Sequence, residues 1–361
     1  MGKRGWGPEK ITRVRGRLLE WYDRSRRDLP WRRNRDPYSI WISEIMLQQT
    51  RVAVVVERYQ AFMERFPTLA SLALAPEQEV LAAWSGLGYY RRARMLHKAA
   101  QYAVSKYQGS LPATAEELRL LPGIGVYTSA AVASIAHGER IAVVDGNVER
   151  VLCRLEGWKA GSGAGGGSVT RHKIGKLAAE LVCLERPGDW NQALMELGAT
   201  VCLPRNPQCL ACPVASDCKT QGEHQTARRK PMRSRDVAYA LAVRAGRLED
   251  RSSQEVLLEQ RPASLTVMPG LWELPTLAEV AIPEEELRMT VRHAIMQVNY
   301  TVRIRTVFEY DIDAMTVTGG ERRWVPLDEA AGMALTGLAR KVLTRAHLLA
   351  AAPGETIAAE G

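Results

Sequence analysis

Residues 121–128, Leu-Pro-Gly-Ile-Gly-Val-Tyr-Thr, restrict what this chain can fold into more than any other stretch. Gly123 and Gly125 permit a tight turn that opens a helix with its first backbone N–H groups uncovered, and a helix start of that kind binds phosphate. Asp145, in Val-Asp-Gly-Asn, returns after one helix and one turn. A phosphate anchor with a carboxylate nearby suits an enzyme acting on the sugar or base of a nucleic acid. On these residues alone, a plain helix–turn–helix corner reads equally well.

The charge balance narrows the choice. The 361 residues carry a net charge of +9, which favours a polyanionic partner. Residues 1–35 hold twelve Lys and Arg against four acids, and Trp21, Tyr22, Trp31 and Tyr38 interleave with the arginines. That mixture matches phosphate contact and base stacking better than a solvated tail. No apolar run approaches the roughly 18 residues that a membrane span needs, and the charged start does not read as a signal peptide. The six cysteines are therefore expected in a reducing cytoplasm, where structural disulfides are rare.

Along the chain, residues 11–220 read as almost entirely helical. Apolar positions recur three to four apart over 41–66, 77–107 and 170–184. Thr114 is placed to cap a helix over the following AEELRLL. The stretch GSGAGGGS at 161–168 has linker composition and is expected as a surface loop. Residues 219–235 are polar and basic, an interdomain connector able to touch phosphate. Beyond them the texture turns to strands over 237–245, 255–261, 271–275, 300–310 and 322–327, with a last helix over 334–350. A mainly α region followed by a smaller α+β domain is the expected architecture.

Cys202, Cys209, Cys212 and Cys218 stand in the spacing C-x6-C-x2-C-x5-C. Four thiolates in so short a span can enclose one metal centre. Structural zinc sites pair two close-spaced knuckles across a longer gap, whereas all four ligands here fall in one compact loop. A [4Fe–4S] cluster is favoured, with zinc as the alternative. Cys153 and Cys183 lie in apolar helical stretches and read as core residues.

The order of these features, with LPWRRNRDPYSIWISEIMLQQTRV (29–52), WSGLGYYRRAR (84–94), LPGIGVYTSAA (121–131), VDGNVERVLCRL (144–155) and NQALMELGATVC (191–202), resembles adenine DNA glycosylases of the MutY type, within the helix–hairpin–helix base-excision superfamily. The match spans about residues 14–220. Residues 268–275, MPGLWELP, more weakly resemble that family's Nudix-like domain. The run of acids that would bind catalytic magnesium there is missing, so nucleotide hydrolysis is not expected.

The resemblance implies a helical catalytic region over 1–222. Within it, a six-helix barrel lobe occupies about 29–137, and an iron–sulfur lobe is formed by 1–28 with 138–222. A linker over 223–236 and a Nudix-like mismatch-recognition domain over 237–351 follow. It implies a monomer acting on double-stranded DNA with a mispaired adenine, without a membrane, in the cytoplasm at the bacterial nucleoid. Breaking the bond from deoxyribose to adenine N9 needs a proton for the base and an anion beside the cationic sugar. Glu44, among Trp41, Ile45, Met46 and Leu47, is the expected acid, because an apolar setting raises a carboxyl pKa. Asp145 is its ionised partner. Tyr127 stands where lyases of the endonuclease III type carry a Schiff-base lysine, which implies a monofunctional glycosylase. Asn147 would orient a water or carboxylate.

The flipped adenine would lie among Arg27, Leu29, Trp31, Arg32 and Gln192. Gln49 and Tyr89 would fill the gap in the stack, and the Gly123, Gly125 and Val126 amides would hold a phosphate. The chain departs from the family at the loop that reads 8-oxoguanine, Phe-Ser-His, where it has Ile295, Met296 and Gln297. Weaker preference for 8-oxoguanine:A over G:A is therefore expected. An endonuclease III-like lyase acting on damaged pyrimidines is the competing enzyme. A non-catalytic DNA-binding module is the competing non-enzyme.

Overall fold

The computed structural model describes residues 6–158, 171–223, 231–245, 254–314 and 320–350. The glycine-rich stretch 161–168 lies outside them. The chain divides into two compact units, one of residues 1–49, 68–73 and 98–229, the other of 50–67, 74–97 and 230–361.

The helices in chain order are α1 (Pro8–Ser25), α2 (Pro37–Leu47), α3 (Val52–Arg65), α4 (Leu69–Leu74), α5 (Glu77–Ala83), α6 (Arg91–Lys106), α7 (Ala115–Leu118), α8 (Val126–His137), α9 (Gly146–Glu156), α10 (Arg171–Leu181) and α11 (Pro187–Thr200). The helix expected over 41–66 is two helices, because Gln49 adopts φ +58° and ends α2. That over 77–107 is likewise broken, where Gly86, Gly88 and Tyr89 take left-handed conformations. Left-handed residues cannot propagate a right-handed helix. Thr114 caps α7 as its sequence suggests, accepting from the Glu117 amide.

In the first unit α8 is the centre. Residues Thr128–Ile135 are all buried, and α2, α7 and α11 pack around it. Its Ala and Ser side chains let neighbours come close. A Cβ on Gly188, at the start of α11, would sit 2.6 Å from the Ser134 carbonyl oxygen. A second core joins α1, α9, α10 and α11 through Leu18, Tyr22, Val151, Leu181 and Trp190. Leu18, Val151 and Leu181 each contribute roughly 1.5–3 kcal/mol by leaving water. Cys153 and Cys183 belong to this core.

Several side chains of the basic N-terminal stretch are committed to the fold. Tyr22, Trp31 and Tyr38 are buried. Arg13 pairs with Asp217 at 2.6 Å, and Arg15 donates to the Leu181 and Val182 carbonyls. Tyr22 and Tyr38 are therefore not open stacking faces, and Arg13 and Arg15 are engaged within the protein. The aromatics supply core volume, and these arginines satisfy carbonyls and acids at helix ends.

The second unit holds the strands β1 (Arg233–Leu241), β2 (Val243–Ala245), β3 (Gln254–Gln260), β4 (Trp272–Glu273), β5 (Leu287–Ile295), β6 (Val298–Thr306) and β7 (Arg322–Pro326), then α12 (Leu327–Gly332) and α13 (Gly337–Arg345). One sheet runs β1-β6-β5, with β1 parallel and β5 antiparallel to β6. In the other, β3 pairs antiparallel with β2, β4 and β7. Val291, Val302, Ile304, Val256, Leu258, Val325 and Val342 form the shared core. Two boundaries differ from expectation. Arg233–Asp236, read as linker, already pair with Val298–Thr301. Strand β5 alternates apolar Leu287, Met289, Val291 and Ile295 with Arg288, Thr290 and Arg292, broken only by His293, and it is absent from the expected strands.

Candidate active site

Glu44 sits one turn before the end of α2, a helix whose start is fixed by Pro37 and by the Asp36 carboxylate accepting from the Tyr38 and Ser39 amides. Residues Tyr38–Met46 are all buried, so Glu44 is held inside the protein with 6% of its surface exposed. Tyr127, the second residue of α8, donates its hydroxyl to Glu44 Oε2 at 2.8 Å. Burial pushes the Glu44 carboxyl up to about 7; the Tyr127 hydrogen bond and Arg32 oppose this, while the nearby negative charge of Asp145 adds to it. Burial likewise raises the Tyr127 phenol well above its ordinary range, aided by the two carboxylates.

Asp145 is the N-cap of α9. Its Oδ1 accepts from the Val148 amide at 2.7 Å, and its Oδ2 accepts from Asn147 Nδ2 at 2.9 Å. Side chains that sequence reading did not single out set its place. Asn191, buried in α11, accepts from the Val143 amide at 3.1 Å and donates to the Ile141 carbonyl at 2.9 Å, anchoring the segment that leads to Asp145. Gly198 lets α11 approach α9, for a Cβ there would lie 2.6 Å from Asn147 Cβ. Arg150 donates to Asn147 Oδ1 at 2.8 Å, to the Gly198 carbonyl at 2.7 Å and to the Cys202 carbonyl at 2.8 Å. An Asn or Gly inside a helical stretch signals such a role only weakly.

Glu196 is a further missed residue. Arg27 grips it with two hydrogen bonds of 2.7 and 2.8 Å, and Arg32 adds one of 2.9 Å. Burial raises the Glu196 carboxyl, but the two guanidinium groups outweigh it and hold the group down at about 2. In this arrangement Arg27 and Arg32 are ion-paired side chains. Leu29 and Trp31 are buried beside them in the sequence, and Gln192 lies half-buried on α11.

Gly123 takes φ +77° and Gly125 forms the N-cap of α8 without any side-chain cap, so the first amides of that helix are open, with Val126 64% exposed beside them. Gln49, Tyr89 and Met296 have φ of +58°, +47° and +54°. Non-glycine residues are strained there, and such strain gathers at functional sites. Tyr89 and Met296 are also exposed. Met296 and Gln297 form the turn between β5, which ends at Ile295, and β6.

Cys202, Cys209, Cys212 and Cys218 are free and half-buried. Among the described residues, no three His, Cys, Asp or Glu side chains are gathered to hold a metal ion. The donor set nonetheless fits a cluster. Burial pushes the Cys212 thiol up to about 11, and Cys202, Cys218 and Cys209 all lie near enough to add to the effect. Cys202, Cys212 and Cys218 pack on the same core. The buried Arg154 directs Nη1 to Cys202 Sγ at 3.3 Å, a cation facing the thiols. No described helix is long and apolar enough to cross a membrane.

An open-ended hairpin helix set against a buried carboxyl and a helix-capping aspartate defines a base-excision class, and residues 42–165 match the family described as HhH-GPD superfamily base excision DNA repair protein. The chain is 39% identical to the adenine DNA glycosylase of Homo sapiens over 344 residues, 80% of this chain and 61% of that protein. It is 44% identical to the adenine DNA glycosylase of Mycolicibacterium smegmatis over 203 residues, 56% of this chain and 67% of that one. The structure of a thermostable thymine-DNA glycosylase aligns with a TM-score of 0.53 and 31% identity, covering 59% of this chain and 97% of that one. The chain belongs to the adenine DNA glycosylase family. It spans 61%, 42% and 54% of the length of its human, rat and mouse relatives.

Proposed function

We propose that this protein removes adenine mispaired with 8-oxoguanine or guanine from duplex DNA, by acid-assisted cleavage of the N-glycosidic bond. The observation that carries the reading is the burial of Glu44 with a pKa near 7, hydrogen-bonded by Tyr127 and close to Asp145. Protonated Glu44 gives its proton to a ring nitrogen of the extruded adenine. Electrons of the C1′–N9 bond leave with the base, and Asp145 stabilises the positive charge left on the sugar. Water then adds to C1′ and loses a proton, which restores the Glu44 carboxyl. Tyr127 holds the Glu44 carboxyl in place, and Asn147 holds Asp145. The uncapped start of α8 takes a phosphate of the strand.

The site in this reading also includes Arg27, Leu29, Trp31, Arg32 and Gln192 as the adenine pocket, with Glu196 fixing the two guanidinium groups. Gln49 and Tyr89 fill the vacated stack, and Ile295, Met296 and Gln297 meet the opposite base. Cys202, Cys209, Cys212 and Cys218 would hold a [4Fe–4S] cluster, whose bonds to sulfur cross-link the loop against the α9–α11 core. A helical lobe over 29–137, an iron–sulfur lobe of 1–28 with 138–222, and a Nudix-like recognition domain from 237 divide the labour. The protein works as a monomer in the cytoplasm.

A structure named for thymine shares the helical fold, so the fold alone does not choose the base. Adenine is favoured by the identity with the adenine enzymes. A lyase mechanism would need an amine where Tyr127 stands. The test is one assay, with duplexes holding A opposite 8-oxoguanine, G, C or T, worked up with and without alkali. Adenine release with strand breaks only after alkali supports the reading, and breaks without alkali overturn it in favour of the lyase.

A further inference from the structure

Tyr89 holds an awkward pose. Its φ is +47°, it follows Gly88 at φ +66°, and 45% of its surface is exposed. A non-glycine residue in that region is strained and persists only where its surroundings enforce it. The enforcing side chain is Arg92, half-buried in the first turn of α6. Burial pushes its pKa down to about 10, with the Tyr89 phenol acting the other way. A cation at a helix N-terminus also faces the positive end of the helix dipole. Both effects count against a guanidinium here, so its contacts have to account for it.

Those contacts converge on the loop that carries Tyr89. Arg92 Nη2 donates to the Leu87 carbonyl at 2.9 Å, the Gly88 carbonyl at 3.1 Å and Thr50 Oγ1 at 3.0 Å. Thr50 in turn donates to the Leu87 carbonyl at 3.3 Å, and Trp84 Nε1 to the Gly88 carbonyl at 3.1 Å. The guanidinium carbon lies 5.6 Å from the centroid of the Tyr89 ring and 5.4 Å from that of buried Trp84, within the ~6 Å reach of a cation–π contact. One planar fork thus fixes the two carbonyls that precede Tyr89 and also lies against its ring. Thr50 directly follows Gln49 in the chain, so the same fork ties down the neighbour of the other side chain read as filling the stack.

Resting on the reading that Tyr89 fills the vacated stack, we infer that Arg92 is a positioning residue for base extrusion. It holds the Tyr89 ring in its outward pose, so that the ring enters the stack with little further ordering. It acts through Tyr89 and takes no part in bond cleavage.

The test follows extrusion itself, in the full chain carrying Glu44→Gln so that base loss is slowed. The probe duplex has 2-aminopurine, an adenine analogue that brightens on leaving the stack, opposite guanine. Fluorescence is read at saturating protein. Arg92→Gln should lower the ratio of extruded to stacked base by about two- to thirtyfold, the span of a cation–π contact. Tyr89→Ala should also lower it, and Arg92→Gln added to Tyr89→Ala should lower it no further. Thr50→Val, which removes an acceptor of Arg92 and spares the guanidinium, carries the same cycle if Arg92→Gln does not fold, with a smaller loss in the same direction. An unchanged ratio in Arg92→Gln overturns the inference. So does an equal loss with and without the Tyr89 ring, which marks Arg92 as general loop support or as a phosphate contact. Both of those results leave the reading of Tyr89 intact. A ratio that Tyr89→Ala leaves unchanged removes that reading and the inference together.

Discussion

The Tyr127 hydroxyl donates to Glu44 Oε2 at 2.8 Å inside the protein, and it is the side-chain hydrogen bond opposing the burial that drives the Glu44 carboxyl to about 7. A carboxyl at that value is half protonated near neutral pH, the condition under which a general acid is both present and willing to give up its proton. The rate of adenine release should therefore fall tenfold per pH unit above about 7. Glu44→Gln should abolish that alkaline limb and lower the rate by about 10²–10⁴-fold. Single-turnover kinetics between pH 5 and 9 check both.

The same shift affects stability. A group whose pKa rises on folding from 4.5 to about 7 favours the folded state fully below the unfolded value. That advantage is lost as pH rises through the folded one. Moving from pH 8 to pH 4 should thus stabilise the parent protein relative to Glu44→Gln, by about 3 kcal/mol at most. Denaturant midpoints of the two proteins at both pH values read the difference. Parallel shifts would contradict a buried Glu44 titrating near neutrality.

Tyr127→Phe removes one donor and keeps the ring. Since that hydrogen bond favours the charged form of Glu44, its loss should move the alkaline limb to higher pH. The remaining carboxyl loses its partner, which costs roughly 1–3 kcal/mol of stability. A limb that stays put would show that Tyr127 only fills space.

Glu196 is the one acid between Arg27 and Arg32. Removing it as Glu196→Gln leaves two guanidinium groups facing each other, and breaking a buried pair costs about 3–5 kcal/mol. Because the folded pKa is depressed to about 2, the stabilisation is present above the unfolded value near 4.5. It is lost as pH falls through about 2. Unfolding midpoints of the parent and the variant should differ most at neutral pH and converge in acid.

Much of this was legible from the residues. Gly123 and Gly125 announce the turn because only their backbone freedom permits it, and Glu44 draws notice as the lone acid in an apolar helix. What could not be read was set by tertiary partners. That Glu196, some 165 residues away, is brought between Arg27 and Arg32 is not visible in the residues around either arginine. The burial of Tyr22, Trp31 and Tyr38 is not legible either, because sequence spacing does not tell an exposed aromatic from a buried one. The breaks at Gln49 and Tyr89 are invisible to apolar periodicity, since neither residue favours a left-handed backbone.

The turn at Met296-Gln297 gives the most specific prediction about substrate choice. Met296 is 66% exposed at φ +54°, a conformation that methionine tolerates poorly. The turn therefore spends stability to present a thioether. A thioether is a weak acceptor and donates nothing, so it cannot make the hydrogen bonds by which a hydroxyl would tell 8-oxoguanine from guanine. Gln297 keeps an amide, and Ile295 keeps apolar bulk at the end of β5. The ratio of single-turnover rates for A opposite 8-oxoguanine and A opposite guanine should be small. Met296→Ser should raise it, since one hydrogen bond gained to the oxidised base is worth about 0.5–1.5 kcal/mol, or two- to twelvefold. A large ratio in the parent protein, unchanged by Met296→Ser, would remove this turn from opposite-base recognition.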